Sequence, residues 1–431
     1  MRTEHDMLGT RSLSDDTLYG LQTLRAKENF ITSYHTTNLS LIYAMVQVKK
    51  AAALSYQELY PKEAQKWDAI CCACDRILDG DVNDTFCTGA LQGGAGTSTN
   101  MNVNEVIANL ALTVLGQTPG NYDIIHPLDD VNRGQSTNDV YPTALRIAAI
   151  QKLRTLSDAC AFLQEALQKK ELEFDHIKKL GRTELMDAME VTLGSEFGAF
   201  AQGIARDRWR LYKIEERLRQ VNLGGTAVGT GAHADRRYRY LVIEHLRNLT
   251  DIGLATAEYP MDITQNQDVF VEVSGLLKSL AVNLMKIASD LRLMASGPFG
   301  GLHEITLPAL QRGSTIMPGK VNPVIPEMVS QAAMRVIAND TAITLAASNG
   351  NFELNAFLPL IADSLLESLE LLCETVTLFQ KKCIDGIVAD EASCLKTLKC
   401  SRVDLYHRST EIGYDKAEEQ YYQEKSDTTP E

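Results

Sequence analysis

Four short segments gather hydroxyl, amide and glycine residues where apolar periodicity is otherwise the rule. They are GGAGTSTNMNVNE at 93–105, GQSTND at 134–139, GRTELMDA at 181–188 and GSTIMPGKVNPVIPE at 313–327. Taken singly, each reads as an ordinary connector between helices, because Gly, Ser, Thr and Asn supply caps and turns. Taken together, they repeat one chemistry. Thr97, Ser98 and Thr99 run into Asn100, and Ser136 and Thr137 run into Asn138. Hydroxyl donors beside an amide suit a carboxylate that must accept several hydrogen bonds at once, and two such runs suggest one polyanionic ligand. The last segment adds a cation: Gly313, Ser314 and Thr315, then Pro318 and Gly319, then Lys320, with Asn322 two residues on. Its two glycines and three prolines give a loop able to change conformation between rigid anchors, as a lid must.

Something rigid has to hold these segments, and the prolines say where it is. None of the 12 prolines falls between Pro142 and Pro260 or between Pro359 and Pro430, so both stretches are free to hold long helices. Leu145, Ala149, Leu153, Leu156, Cys160, Leu163 and Leu167 follow one another at intervals of three or four, one continuous stripe on a helix face. Val273, Leu277, Leu280, Leu284, Ile287, Leu291 and Met294 do the same. Leu276, Ala281, Val282 and Met285 between them are also apolar, so this helix is expected to be surrounded by others. Further long helices are predicted from about Ser195 to Val221, from Glu327 to about Ala347 with Pro326 immediately before it, and from Pro359 to about Lys381. The chain therefore reads as mainly α, an elongated bundle of five long helices. Residues 420–431, QYYQEKSDTTPE, read as a frayed polar tail.

Composition narrows the function classes. With 42 Lys and Arg against 56 Asp and Glu, the net charge of −14 argues against a nucleic-acid or anionic-membrane partner. No run approaches the roughly 20 apolar residues of a membrane span, and the polar opening MRTEHDMLGTRSLSDD lacks the apolar core of a secretion signal, so a cytoplasmic protein is expected. Nine Cys without paired CxxC motifs, and eight His without HxxxH or HExxH spacing, point to free thiols and to no metal site. No cofactor is expected.

With these residues in view, the chain resembles the aspartase/fumarase superfamily, whose motif GSxxMxxKxN stands here as Gly313, Ser314, Met317, Lys320 and Asn322. The resemblance extends over nearly the whole chain, through YGLQTLRAKENF, AGTSTNMNVNEVIAN, QSTNDVYPTALRIA, NLGGTAVGTG and GNFELNAFLPL, and is nearest the aspartate ammonia-lyases. It implies a three-domain subunit, taken here as an N-terminal helical domain over 1–138, the central bundle over 139–384 and a small C-terminal domain over 385–431. It also implies a homotetramer whose active sites are each built from loops of three subunits.

Residue by residue, Ser314 matches the family's general base on a mobile loop. Thr97, Ser136, Thr137 and Thr315, with Ser98 beside them, match the hydroxyls around the carboxylate next to the abstracted proton. Lys320 and Asn322 match the pair on the α-carboxylate, Asn138 and Thr183 match contacts to the leaving amine, and Glu327 matches a buried acid behind the loop. The chemistry asks for such a set. Removing a proton beside a carboxylate develops a second negative charge, which fixed donors in a closed site can stabilise by several kcal/mol. A serine acting as base needs cations and backbone donors that favour its alkoxide.

Two departures from the pattern stand out. Glu184 follows Thr183 where relatives carry His or Gln, and a carboxylate there would attract an α-ammonium, which favours a carbon–nitrogen lyase over a hydratase. LYHRSTEIGY at 405–414 brings His407, Arg408 and Glu411 into a stretch that is apolar in many aspartate ammonia-lyases, and the chain is expected to end some tens of residues earlier than theirs. The leading expectation is an aspartate ammonia-lyase. Elimination of an amine from another amino acid or betaine, as in ergothionase, comes next, then fumarate hydratase, and last an inactive structural relative of the lens-crystallin kind.

Overall fold

A computed structural model of the chain describes residues 1–31 and 33–428. The antiparallel strands β1 (Arg2–Asp6) and β2 (Gly9–Leu13) precede helices α1 (Leu21–Asn29), α2 (Leu39–Leu59), α3 (Ala64–Leu78) and α4 (Thr97–Val114). Then come α5 (Thr137–Glu173), the antiparallel hairpin of β3 (Lys178–Thr183) and β4 (Met186–Thr192), α6 (Leu193–Leu218), β5 (Gln220–Val221) and α7 (Arg236–Thr250). The chain continues through β6 (Ala255–Thr256), α8 (Pro260–Gln265), α9 (Asp268–Met294), β7 (Ile305–Thr306), α10 (Val324–Ala347) and α11 (Leu358–Lys382). It finishes with β8 (Val388–Ala389), α12 (Glu391–Cys400), α13 (Val403–Ile412) and α14 (Tyr414–Thr428). β5 pairs in parallel with β6, and β7 antiparallel with β8. No helix among the described residues is long and apolar enough to cross a membrane.

The five long helices are those the apolar stripes demand. Every residue of the Leu145–Leu167 and Val273–Met294 series is buried, as are Leu365, Leu366, Leu369, Leu372, Val376 and Phe379 along α11. The expectation that α9 is enclosed on all sides is corrected: Val282 is 48% exposed, so one face of that helix is left uncovered by this chain.

The chain divides into two compact units. The first comprises 1–155, 210–278 and 335–371. In it α2 packs against α3, α4 and α7. Arg154 of α5 pairs with Glu215 of α6 at 2.9 Å, and Ser274 Oγ of α9 donates to Asp340 of α10 at 2.8 Å. Asn339 Nδ2 of α10 donates to Ser368 Oγ of α11 at 3.1 Å. The second unit comprises 156–209, 279–334 and 372–431. There Asn283 Nδ2 of α9 donates to Asp207 of α6 at 2.7 Å, α12 packs on β3, and α13 packs on β4 and α14.

Several boundaries differ from the sequence reading, each for a physical reason. The polar runs at 97–105 and 137–139 are helix rather than loop, because Asn102 and Asn109 are buried in α4 with backbone carbonyls as partners. Tertiary hydrogen bonding overrides their weak helix propensity. Pro326 lies in the first turn of α10 rather than before it, where a missing N–H leaves no helical bond unmade. The GRTELMDA segment is a β-hairpin. The expected frayed tail is helix as far as Thr428, and residues 429–431 lie outside the described residues.

Candidate active site

In the first unit the two hydroxyl runs open two neighbouring helices. Gly96, at φ +94°, precedes the first turn of α4, and a Cβ there would fall 2.2 Å from the ring of Tyr141 in α5. Only glycine tolerates both that backbone and that approach. One turn later Asn100 Nδ2 donates to Thr137 Oγ1 at 3.0 Å, which fixes the start of α4 against the start of α5. Thr97 is exposed and Ser98 half-buried, and Thr97 Oγ1 donates to the carbonyl of Gly94 at 2.7 Å. Ser136 caps α5 reciprocally: its Oγ accepts from the Asn138 N–H at 3.2 Å, while Asp139 accepts from its own N–H at 2.9 Å. The structure thus brings Thr97, Ser98, Ser136, Thr137 and Asn138 to a pair of helix N-termini, whose backbone N–H groups and dipoles favour an anion.

A buried polar layer lies beneath these termini. Asn132 Oδ1 accepts from Lys49 Nζ at 2.8 Å and from the amides of Asn100 and Asn104, each at 3.2 Å. Lys49 Nζ also donates to Gln135 Oε1 at 3.0 Å. Burial brings Lys49 down to about 7 and raises the Asp139 carboxyl to about 6, the latter opposed by N–H groups of Ser136, Thr226 and Gly224. Asp139 Oδ2 accepts from Gly224 at 3.0 Å and Thr226 at 2.9 Å, which ties the NLGGTAVGTG loop to α5. Asn138 Nδ2 donates to Ala227 of that loop at 2.7 Å, and its Oδ1 has no partner among the described residues. Lys49 and Asp139, which brace these termini from beneath, are residues that sequence reasoning missed. The one available signal was a lysine inside the apolar face of α2, at 1% exposure.

In the second unit Ser314, Thr315, Lys320 and Asn322 share one loop, which closes on itself. Gly313 N–H donates to Lys320 O at 2.8 Å, and Asn322 Nδ2 donates to Gly313 O at 2.8 Å. A Cβ at Gly313 would lie 2.5 Å from that Lys320 oxygen, so the closure requires glycine. Ser314 Oγ accepts from the N–H groups of Ile316 at 3.1 Å and Met317 at 2.8 Å. Both donors favour negative charge on that oxygen. The loop curls around an open groove lined by Arg312, Ser314, Thr315, Met317 and Lys320. Lys320 is exposed, and its ammonium has no ion pair or hydrogen bond among the described residues.

Thr183 and Glu184 sit at the exposed tip of the β3–β4 hairpin. Glu184 at φ +53° and Leu185 at φ +66° form its two-residue turn, a conformation that favours glycine or asparagine. Neither Thr183 nor Glu184 bonds to the 313–322 loop among the described residues. The expectation of a buried Glu327 is corrected. Its side chain is 41% exposed and only loosely paired with Arg292 at 3.9 Å, because the face of the first turn of α10 that carries it is left open by this chain.

Comparison with known proteins places this geometry. Residues 9–338 match a family of lyases. The chain is 45% identical to the aspartate ammonia-lyase of Helicobacter pylori, over 97% of this chain and 90% of that one. It is 42% identical to the aspartate ammonia-lyase of Bacillus subtilis, over 96% and 88%. Among solved structures, a fumarate lyase:delta crystallin from Brucella melitensis superposes with a TM-score of 0.95 at 45% identity, over 99% of this chain and 93% of that one. A class II fumarase from Schistosoma mansoni superposes with 0.94 at 30% identity, over 97% and 91%.

Proposed function

This chain belongs to the lyase family of the aspartases and fumarases, and from that premise we propose that it eliminates ammonia from L-aspartate to give fumarate, reversibly and with anti stereochemistry. The observation that carries the reading is Ser314, whose Oγ accepts two backbone N–H bonds in the loop that also holds Lys320. As an alkoxide it takes the β-proton. The electron pair of that C–H bond moves toward the adjacent carboxylate, which the Thr97, Ser98, Ser136, Thr137 and Thr315 hydroxyls stabilise as its charge grows. The C–N bond then breaks with its electron pair on nitrogen, so the α-ammonium leaves as neutral ammonia and the double bond forms. Lys320 and Asn322 hold the α-carboxylate, and Asn138 Oδ1 with Thr183 and Glu184 receives the amine.

Glu184 favours one further reading, elimination of a quaternary amine from a betaine, since its carboxylate attracts any cation at that position. In either case the working unit is a cytoplasmic homotetramer with each site shared by three subunits, and the chain divides functionally at 1–138, 139–384 and 385–431. The large apolar side chains left exposed on long helices, Phe162, Val282, Met334 and Leu345 among them, support further copies covering those faces.

Purified protein incubated separately with L-aspartate, L-malate and ergothioneine, and with fumarate plus ammonia, tests the substrate. Absorbance of the unsaturated product and released amine are followed while sedimentation gives the mass. Turnover of aspartate in both directions by a tetramer is expected, and a fully active monomer or turnover of malate alone overturns the reading.

A further inference from the structure

The β3–β4 hairpin is strained at its tip and irregular along its length, and both features lead to one buried residue. In a regular strand, residues three apart point to opposite faces. Lys179 and Arg182 nevertheless both reach Glu304: Lys179 Nζ donates to its Oε2 at 2.6 Å and Arg182 Nη1 to its Oε1 at 2.7 Å. Between them the register shifts: Leu180 pairs with Glu190 but Arg182 with Asp187, so the single residue Gly181 stands against Ala188 and Met189, and the extra residue of this bulge lies on β4. A Cβ at Gly181 would stand 2.8 Å from the carbonyl of Met189 on the partner strand, so only glycine permits the bulge. Arg182 is turned inward, with 15% of its side chain exposed, while the next two residues, Thr183 and Glu184, stand exposed at the tip.

Glu304 is itself immobilised. It is fully buried, its N–H donates to Met294 O at 2.8 Å, and its carbonyl accepts from Asp390 N–H at 2.9 Å and from Cys394 Sγ at 3.7 Å. Glu196 completes the cluster by accepting from Lys179 at 2.8 Å, so two cations meet two carboxylates. Non-glycine residues at positive φ persist only where surrounding structure over-determines them. Here the Thr183–Met186 strand pair closes the turn, and the Arg182–Glu304 bond anchors the residue just before it. We propose that Glu304 and Arg182 are positioning residues that set where Thr183 and Glu184 stand, and through them the discrimination of a substrate that carries an amine from one that does not. The inference rests on the reading above, in which that tip receives the amine.

Affinity for L-aspartate, compared with inhibition by succinate, which lacks the amine, measures that discrimination. Arg182→Gln leaves the Lys179–Glu304 pair in place and keeps the fold. It is expected to raise the aspartate KM about ten- to a hundredfold while leaving the succinate inhibition constant unchanged, with Arg182→Lys recovering part of the loss. Glu304→Gln should act in the same direction, with circular dichroism and the thermal midpoint reporting whether it folds. A loss of stability with aspartate and succinate weakened alike would make the cluster merely structural and overturn the proposal. Glu184→Gln and Thr183→Ala separate the two failures. If they change the aspartate-to-succinate ratio and Arg182→Gln does not, the positioning role is wrong. If neither tip variant changes it, the tip does not receive the amine.

Discussion

Asn222 Nδ2 donates at 3.0 Å to the backbone carbonyl of Asn138, the carbonyl that Pro142 leaves without a helical donor. A proline six residues into a helix removes the N–H that would return to residue 138, and its ring pushes that carbonyl outward. Fully buried Asn222 fills the gap and also donates to Thr264 Oγ1 at 2.8 Å. The start of α5, with Ser136, Thr137 and Asn138, is thereby held by a side chain 84 residues away. Asn222→Ala is expected to cost about 1–3 kcal/mol of stability, read from urea midpoints, since it strands a buried acceptor. Pro142→Ala should recover part of that loss in the Asn222→Ala background while changing little in the wild type, because it restores the missing N–H. Simple additivity within about 0.3–0.5 kcal/mol would show that the two residues do not share this carbonyl.

Lys49 gives a prediction in pH. Burial sets its folded value at about 7, below the ordinary 10.5. Between those values the unfolded chain binds the extra proton, so this residue makes stability rise as pH rises from about 7 toward 10.5. Below about 7 both states are protonated, and the full cost of a buried charge is present. Lys49→Met keeps the volume and removes the titration. Urea unfolding of both proteins at pH 7 and pH 9.5 should show the wild type gaining on the variant at the higher pH, and parallel stabilities would refute the assignment.

The long helices were legible because their stripes are all buried, as Leu145 through Leu167 and Val273 through Met294 attest. The N-terminal turns were not. Asn100 and Asn104 read as loop residues, and they are helical because Asn132 Oδ1, some 30 residues on, accepts from both of them and from Lys49. Spacing does not reveal a partner at that separation. The hairpin was missed for a similar reason: GRTELMDA reads as a connector between helices, and the cations that anchor its first strand, Lys179 and Arg182, meet Glu304 more than 100 residues away. The Ser314 loop was legible as a motif, whereas its closure through Asn322 Nδ2 and Gly313 was not. Glu327 was misread because a family expectation of burial was carried to a residue that this chain alone leaves open.

Ser314 and Lys320 lie in one loop yet should fail differently when replaced. The Ser314 hydroxyl, with its two N–H donors from Ile316 and Met317, is needed when the proton moves, whereas the Lys320 charge already acts on the bound substrate. Ser314→Ala is therefore expected to abolish exchange of the β-proton while leaving aspartate binding within about tenfold, roughly 1.4 kcal/mol. Lys320→Met should weaken binding and turnover together, by about 2–5 kcal/mol if it leaves a desolvated carboxylate unpaired. Deuterium wash-in separates the two: in deuterated water the wild type incorporates label at the β-carbon of recovered aspartate, Lys320→Met does so slowly at saturating substrate, and Ser314→Ala does not. Should Ser314→Ala turn over at even a tenth of the wild-type rate, another residue is the base, and the two N–H bonds to its Oγ serve only to shape the loop.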